Sequence, residues 1–208
     1  MKTASKFVGS LVCAAAFVLA AGPVSANLLT NPGFEIGGLT GWSAFGLSGT
    51  STVTVQTPDN GPSAAGTHNA FEDNQTQANG LTLAQTTANG SAAPGTVFYS
   101  FDLKLGQAAI GGVFFVEIFA HNAAGAVIGN AGLLGNFADA HWTTHSGSFV
   151  APANTDHLTI QFEANTAAIP GTISSMHVDN VDLNQGVVSV EPVTWSQLKG
   201  TYGKGPAR

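Results

Sequence analysis

The chain is 208 residues long, with 9% charged residues, 26 glycines and a formal net charge of −6. That length suits one domain with extensions, and the acidic balance leaves no basic stripe to neutralise the phosphates of a nucleic acid. Small and turn-forming residues with so few charges fit a turn-rich β domain and argue against a helical bundle.

Residues 1–26 read as a secretory signal peptide. Lys2 and Lys6 form a basic head, Phe7 to Ala21 an apolar run too short for a membrane span, and Val24-Ser25-Ala26 a small-x-small cleavage site. The expected mature chain starts at Asn27 and is secreted, to the extracellular space or the cell surface. Cys13 is the single cysteine and lies inside that run, behind Ser10-Leu11-Val12, a poor lipobox. The mature chain therefore needs no disulfide. No later stretch is long and apolar enough for a transmembrane helix.

Residues 27–185 carry the pattern of a β-sandwich domain. Leu28-Leu29 predicts a short strand running into Asn31-Pro32-Gly33, where Pro32 fixes φ and Gly33 permits a tight bend. Glu35 then sits beside Phe34, and a glycine-rich loop leads to Trp42. A carboxylate at such a junction suits either the start of a calcium site or a plain surface position after a turn. Thr50 to Thr57 alternates strictly and places Val53 and Val55 inward. His68 to Phe71 and Leu81 to Leu83 predict two more short strands. Val97 to Leu105 puts Tyr99, Phe101, Leu103 and Leu105 on one face and Ser100, Asp102 and Lys104 on the other.

Gly112 to Asn122 predicts a long strand, with Val116, Ile118 and Ala120 on its core face and Phe115, Glu117, Phe119 and His121 on the opposite face. Ala123-Ala124-Gly125 is its hairpin turn, and Val127-Ile128 begins the return. Trp142 to Val150, Leu158 to Glu163 and Met176 to Leu183 complete the set. So many half-buried strands predict an all-β, two-sheet antiparallel sandwich. Residues 186–208 form a linker and a short amphipathic helical tail. Thr194 and Gln197 make a capping box, and Trp195, Leu198 and Tyr202 share one face. That face could dock on the domain, serve a protein partner or act in sorting, and a frayed tail fits equally.

With these elements placed, the sequence resembles the carbohydrate-binding-module jelly rolls of the galactose-binding-like superfold, nearest to xylan- and β-glucan-binding types. The resemblance rests on NLLTNPGFEIGGLTGW, PSAAGTHNAF, PGTVFYSFDLKL, VEIFAHNAAGAVIG, HWTTHSGSFVAP and MHVDNVDL, in that order. It implies that the first and last strands lie side by side and bring Glu35 near Asp179. It further implies a structural calcium held by those two carboxylates, with main-chain carbonyls from the loop around Gly66-Thr67-His68, while Asp182 faces solvent. Trp42 and Trp142 fall at positions that the family packs in the core.

Sugar binding needs aromatic rings beside amides and carboxylates that meet hydroxyls. Phe115, Glu117, Phe119, His121, Gln161 and Glu163 are the candidate ligand residues for a polysaccharide, with Asp102 and His177 beside them. Alternatively, the loop from Asn74 to Gly80 roofs Phe115 and Phe119 as a buried patch. Asp102, Glu117 and Glu163 superficially look like acid/base partners. No G-x-S-x-G or H-E-x-x-H motif is present, so the chain reads as non-enzymatic. His141 and His145, four apart with no Glu between, read as surface histidines rather than a zinc pair. A secreted polysaccharide-binding protein is the leading expectation. A structural or adhesive surface protein on the same scaffold, without sugar recognition, is the alternative.

Overall fold

The computed structural model describes residues 26–57, 66–135 and 139–186. The expected signal peptide and the tail with Trp195, Leu198 and Tyr202 lie outside the described residues. Every regular element within them is a strand, and none of them forms a helix long and apolar enough to cross a membrane. In chain order the strands are β1 (Ser43–Phe45), β2 (Thr52–Gln56), β3 (Asn69–Asn74), β4 (Gly80–Thr86), β5 (Gly95–Leu105) and β6 (Gly112–His121). There follow β7 (Val127–Asn130), β8 (Leu134–Gly135), β9 (Thr143–Ala151), β10 (His157–Thr166) and β11 (Ser174–Gln185).

Two antiparallel sheets form the sandwich. One has the order β1-β4-β10-β6-β7, with β8 also pairing β6, and the other β2-β3-β11-β5-β9. Side chains alternate across each strand, so one apolar set per sheet closes on the other. The first sheet contributes Leu81, Leu83, Phe114, Val116, Ile118, Leu158, Ile160 and Phe162 to the core, and the second Val97, Phe101, Leu103, Met176 and Val178. Phe101 and Phe162 meet edge-to-face across the layers, 5.4 Å between ring centroids.

The opening segment docks beside the last strand, as the resemblance implied. Leu28 N–H donates to the Leu183 carbonyl (2.8 Å) and Val181 N–H to the Pro32 carbonyl (3.0 Å). Leu28-Leu29 is nevertheless not a regular strand. The Asn27 side chain takes the place of ladder partners, donating to the Val181 carbonyl and accepting from Leu183 N–H. Gln85 of β4 does the same on the other side, bonding both N–H and carbonyl of Thr30. Phe34 and Trp42 are thereby carried into the core, their rings 5.2 Å apart, with Trp42 6.1 Å from Phe162.

Candidate functional site

The outward face of the first sheet gathers the predicted ligand residues. Register pairs Gln161 with Glu117 on one side and Ala84 on the other, and Glu163 with Phe115 and Thr82. Thr159 lies between Thr86 and Phe119, and β1 extends two of these rows with Ser43 and Phe45. Phe115, Glu117, Phe119, His121, Gln161 and Glu163 therefore share one face, each half-buried, while their neighbours in sequence fill the core.

A polar row runs through its middle. The Gln161 side-chain amide donates to Glu117 Oε2 (2.8 Å) and to Glu163 Oε1, and Asn165 Nδ2 donates to Glu163 Oε2 (2.9 Å). Fixed carboxylates of this kind present the remaining acceptor positions of Glu117 and Glu163 to the outside. Phe119 flanks the row on one side and Phe115 on the other. Phe115 lies against Gly135 of β8, where a methyl group would come within 3.3 Å of the ring. The loop from Asn74 to Gly80 is tied to the strand ends instead, through Asn79 to the Gly46 carbonyl and Thr166 to the Thr76 and Asn79 carbonyls. His121 ends the face and turns its ring onto His157.

Asp102 and His177 are not part of this face, contrary to the expectation. Both belong to the second sheet, on its outward side, because β5 and β11 pair with each other and not with β6 or β10. Asp102 and Asp179 are buried cross-strand partners. Asn180 Nδ2 donates to Oδ2 of both (2.9 and 3.2 Å), and the Thr144 hydroxyl donates to Asp102 Oδ1.

Glu35 and Asp179 both border Gly33, but it is the Glu35 methylene, not its carboxylate, that lies there. A methyl group built on Gly33 would sit 3.6 Å from Asp179 Oδ1 and 3.7 Å from Glu35 Cγ. The 66–68 loop meets Glu35 with amide hydrogens rather than carbonyls: Thr67 N–H and His68 N–H donate to its carboxylate at 2.9 and 3.0 Å. Burial alone would raise the Glu35 pKa, but the amides of His68 and Thr67 and the His68 ring outweigh it and hold the pKa below its ordinary value. Among the described residues no cluster of three or more His, Cys, Asp or Glu side chains is arranged to hold a metal ion.

Trp42 is in the core as expected, whereas Trp142 is not. Trp142 lies half-buried outside the second sheet, with Lys104 Nζ 4.9 Å from its ring centroid and His177 at 6.0 Å. It precedes β9, so strand alternation does not govern it. His145 points between the sheets toward Phe101, and burial lowers its pKa against the opposing pull of Asp139 and Asp102. It lines a cleft of about 490 Å³ with Tyr99, Phe101, Leu134, Gly135, Thr144 and Ser146, between β5 and β9 of the second sheet and β8 of the first. Sequence spacing gave no sign of that cleft, because it forms between strands of different sheets.

No protein-family model and no curated protein matches the sequence. Solved structures match its shape. One is the enzymatically active domain of tailspike protein 4 from bacteriophage CBA120, at TM-score 0.60 and 15% identity, covering 76% of this chain and 21% of that one. Another is TmCBM61 in complex with β-1,4-galactotriose, at TM-score 0.52 and 18% identity, covering 77% and 99%. A third is the CBM22-1 xylan-binding domain of Paenibacillus barcinonensis Xyn10C, at TM-score 0.53 and 16% identity, covering 78% and 96%. The fold is that of the β-sandwich carbohydrate-binding modules. The chain spans only about a fifth of the tailspike domain, so the likeness reaches one part of that protein.

Proposed function

We propose that this is a secreted, non-catalytic protein that binds polysaccharide on the outward face of its first sheet. The observation that carries the reading is the hydrogen-bonded row Glu117–Gln161–Glu163–Asn165, flanked by the half-exposed rings of Phe119 and Phe115. Carboxylates and amides already fixed by one another meet sugar hydroxyls at little entropic cost, and a phenylalanine ring packs on the apolar face of a pyranose. Solved structures of this fold described as a galactotriose complex and a xylan-binding domain support the choice of ligand class. Glu117 and Glu163 hold the same Gln161 amide from neighbouring strands. Glycoside hydrolysis instead places an acid and a base or nucleophile on either side of the scissile bond.

Affinity electrophoresis on xylan, β-glucan and galactan tests the reading. The protein is expected to be retarded on at least one glycan, with Phe119→Ala abolishing the retardation and no reducing ends released. Equal retardation of wild type and Phe119→Ala, or none across the panel, would overturn it.

We propose in addition a structural calcium held by Glu35 and Asp179. Asp179 Oδ1 and the Glu35 side chain both border Gly33, and a pair of oxygen-bearing side chains from the two ends of the domain supports a site for a hard cation. Calcium is expected to raise the melting temperature, EDTA to lower it, and Asp179→Asn to remove the difference. Melting that ignores both additions would dismiss the ion without touching the glycan face.

A further inference from the structure

We propose that His121 and His157 form a site for a divalent transition-metal ion, of the copper, nickel or zinc type, at the end of the first sheet. The two residues are directly opposed on neighbouring antiparallel strands, in register across β6 and β10. Their rings lie parallel, 4° between planes and 4.9 Å between centroids.

The hydrogen bonds on these rings determine which nitrogen is available. His121 Nδ1 is 3.2 Å from the Gly125 carbonyl, and His157 Nδ1 is 2.9 Å from Asp156 Oδ2. Both partners are acceptors, so each Nδ1 carries a hydrogen, and the tautomer that makes these bonds leaves its lone pair on Nε2. An oxygen on Nδ1 that orients the ring and fixes the tautomer is the support that metal-ligating histidines use. Asp156 is held in turn by the Gly90 N–H at 3.0 Å, so this support is itself anchored.

A second, independent observation points the same way. His121 Nε2 is buried and has no hydrogen-bond partner. Buried polar atoms are nearly always paired, and an exception calls for a ligand or another cause. The glycan reading supplies none, since a nitrogen closed to solvent does not meet a sugar hydroxyl. The parallel rings do not yet aim both lone pairs at one point, so metal binding is expected to turn them about their Nδ1 hydrogen bonds until both Nε2 atoms meet the ion.

The donor type selects the ion. Imidazole nitrogens suit copper, nickel and zinc, with Cu²⁺ bound most tightly, whereas calcium and magnesium require oxygen. With no cluster of three or more donors among the described residues, two imidazoles supply the protein ligands and water completes the shell. This site stands apart from the carboxylates of Glu35 and Asp179 and does not depend on sugar binding.

Titration of the full-length protein with CuCl₂, followed by calorimetry and electron paramagnetic resonance, tests the proposal. One equivalent is expected to bind saturably, with hyperfine coupling from two imidazole nitrogens. His121→Gln and His157→Gln should each abolish that equivalent, Asp156→Asn should weaken it about tenfold, and His141→Gln should leave it unchanged. Copper-induced broadening of the His121 and His157 ring resonances in the wild type gives a readout that needs no variant to fold. Absence of a saturable equivalent, broadening centred on other histidines, or full binding by His121→Gln would overturn the site.

Discussion

Glu72 is a carboxyl group enclosed in the apolar layer between the sheets. It alternates inward with Ala70 and Asn74 on β3, pairs across the ladder with Val53 and Met176, and both its oxygens lack a hydrogen-bond partner. Burial, reinforced by the charge of Glu163, pushes its pKa well above the carboxylate range, so folding favours its uncharged form. Its contribution to stability is complete below the unfolded pKa of about 4.3 and is lost as pH rises toward the folded value. The loss is at most about 1.4 kcal/mol per pH unit. Glu35 works in the opposite direction: its lowered pKa gives stability that is present near neutrality and lost as the solution is acidified. Glu72→Gln should therefore melt above the wild type at pH 7 to 8, with the gap closing toward pH 4. A difference that stays constant across that range would mean that packing, not ionisation, separates the two proteins. The strand runs past the expected Phe71 to Asn74, because Glu72 and Asn74, polar residues in an inward register, give no periodic signal.

The segment from Asn27 to Trp42 has no regular strand, yet it closes one flank of the sandwich. Phe34 is fully buried with a positive φ of 58°, an unfavourable backbone for a bulky residue that its packing against Trp42 offsets. The Trp42 indole N–H also donates to the Asn31 carbonyl at 3.1 Å, tying the two ends of the turn together. Phe34→Ala is expected to cost about 3–5 kcal/mol in urea unfolding. Leu47→Ala, at a residue 58% exposed, should stay within about 0.5 kcal/mol. Similar losses for both would show that the segment is only draped on the surface. Most strands were legible because alternation marks them, above all β5, β6 and β9. The very short β1 and β8 offer too few residues for a period. β4 extends beyond the expected Leu83, as Ala84 and the buried Gln85 break the apolar pattern.

Periodicity tells which side chains share a strand face, but strand partners follow from the folding of the whole chain. That is why alternation puts Phe115, Glu117, Phe119 and His121 on one face, whereas it cannot tell that Asp102 and His177 belong to the other sheet. The resulting charge distribution makes a prediction for the intact molecule. Lys104 is the only Lys or Arg among the described residues, and it lies outside the second sheet against Trp142, on the side opposite the polar row. On the proposed function, Glu117 and Glu163 would meet a glycan with no described lysine or arginine beside them. A polymer carrying uronate groups would bring like charge against two held carboxylates, an arrangement that rejects partners more strongly than it attracts others. Neutral glycans should be retained with little dependence on salt, since no net charge pairing drives their binding. Polyuronates should be excluded at low ionic strength, and the double variant Glu117→Gln, Glu163→Gln should weaken that exclusion. Lys104→Gln, on the far sheet, should alter neither result. If Lys104→Gln or Trp142→Ala abolished retention while Phe119→Ala did not, the ligand would be shown to occupy the second sheet, and the polar row would be left as a structural feature alone.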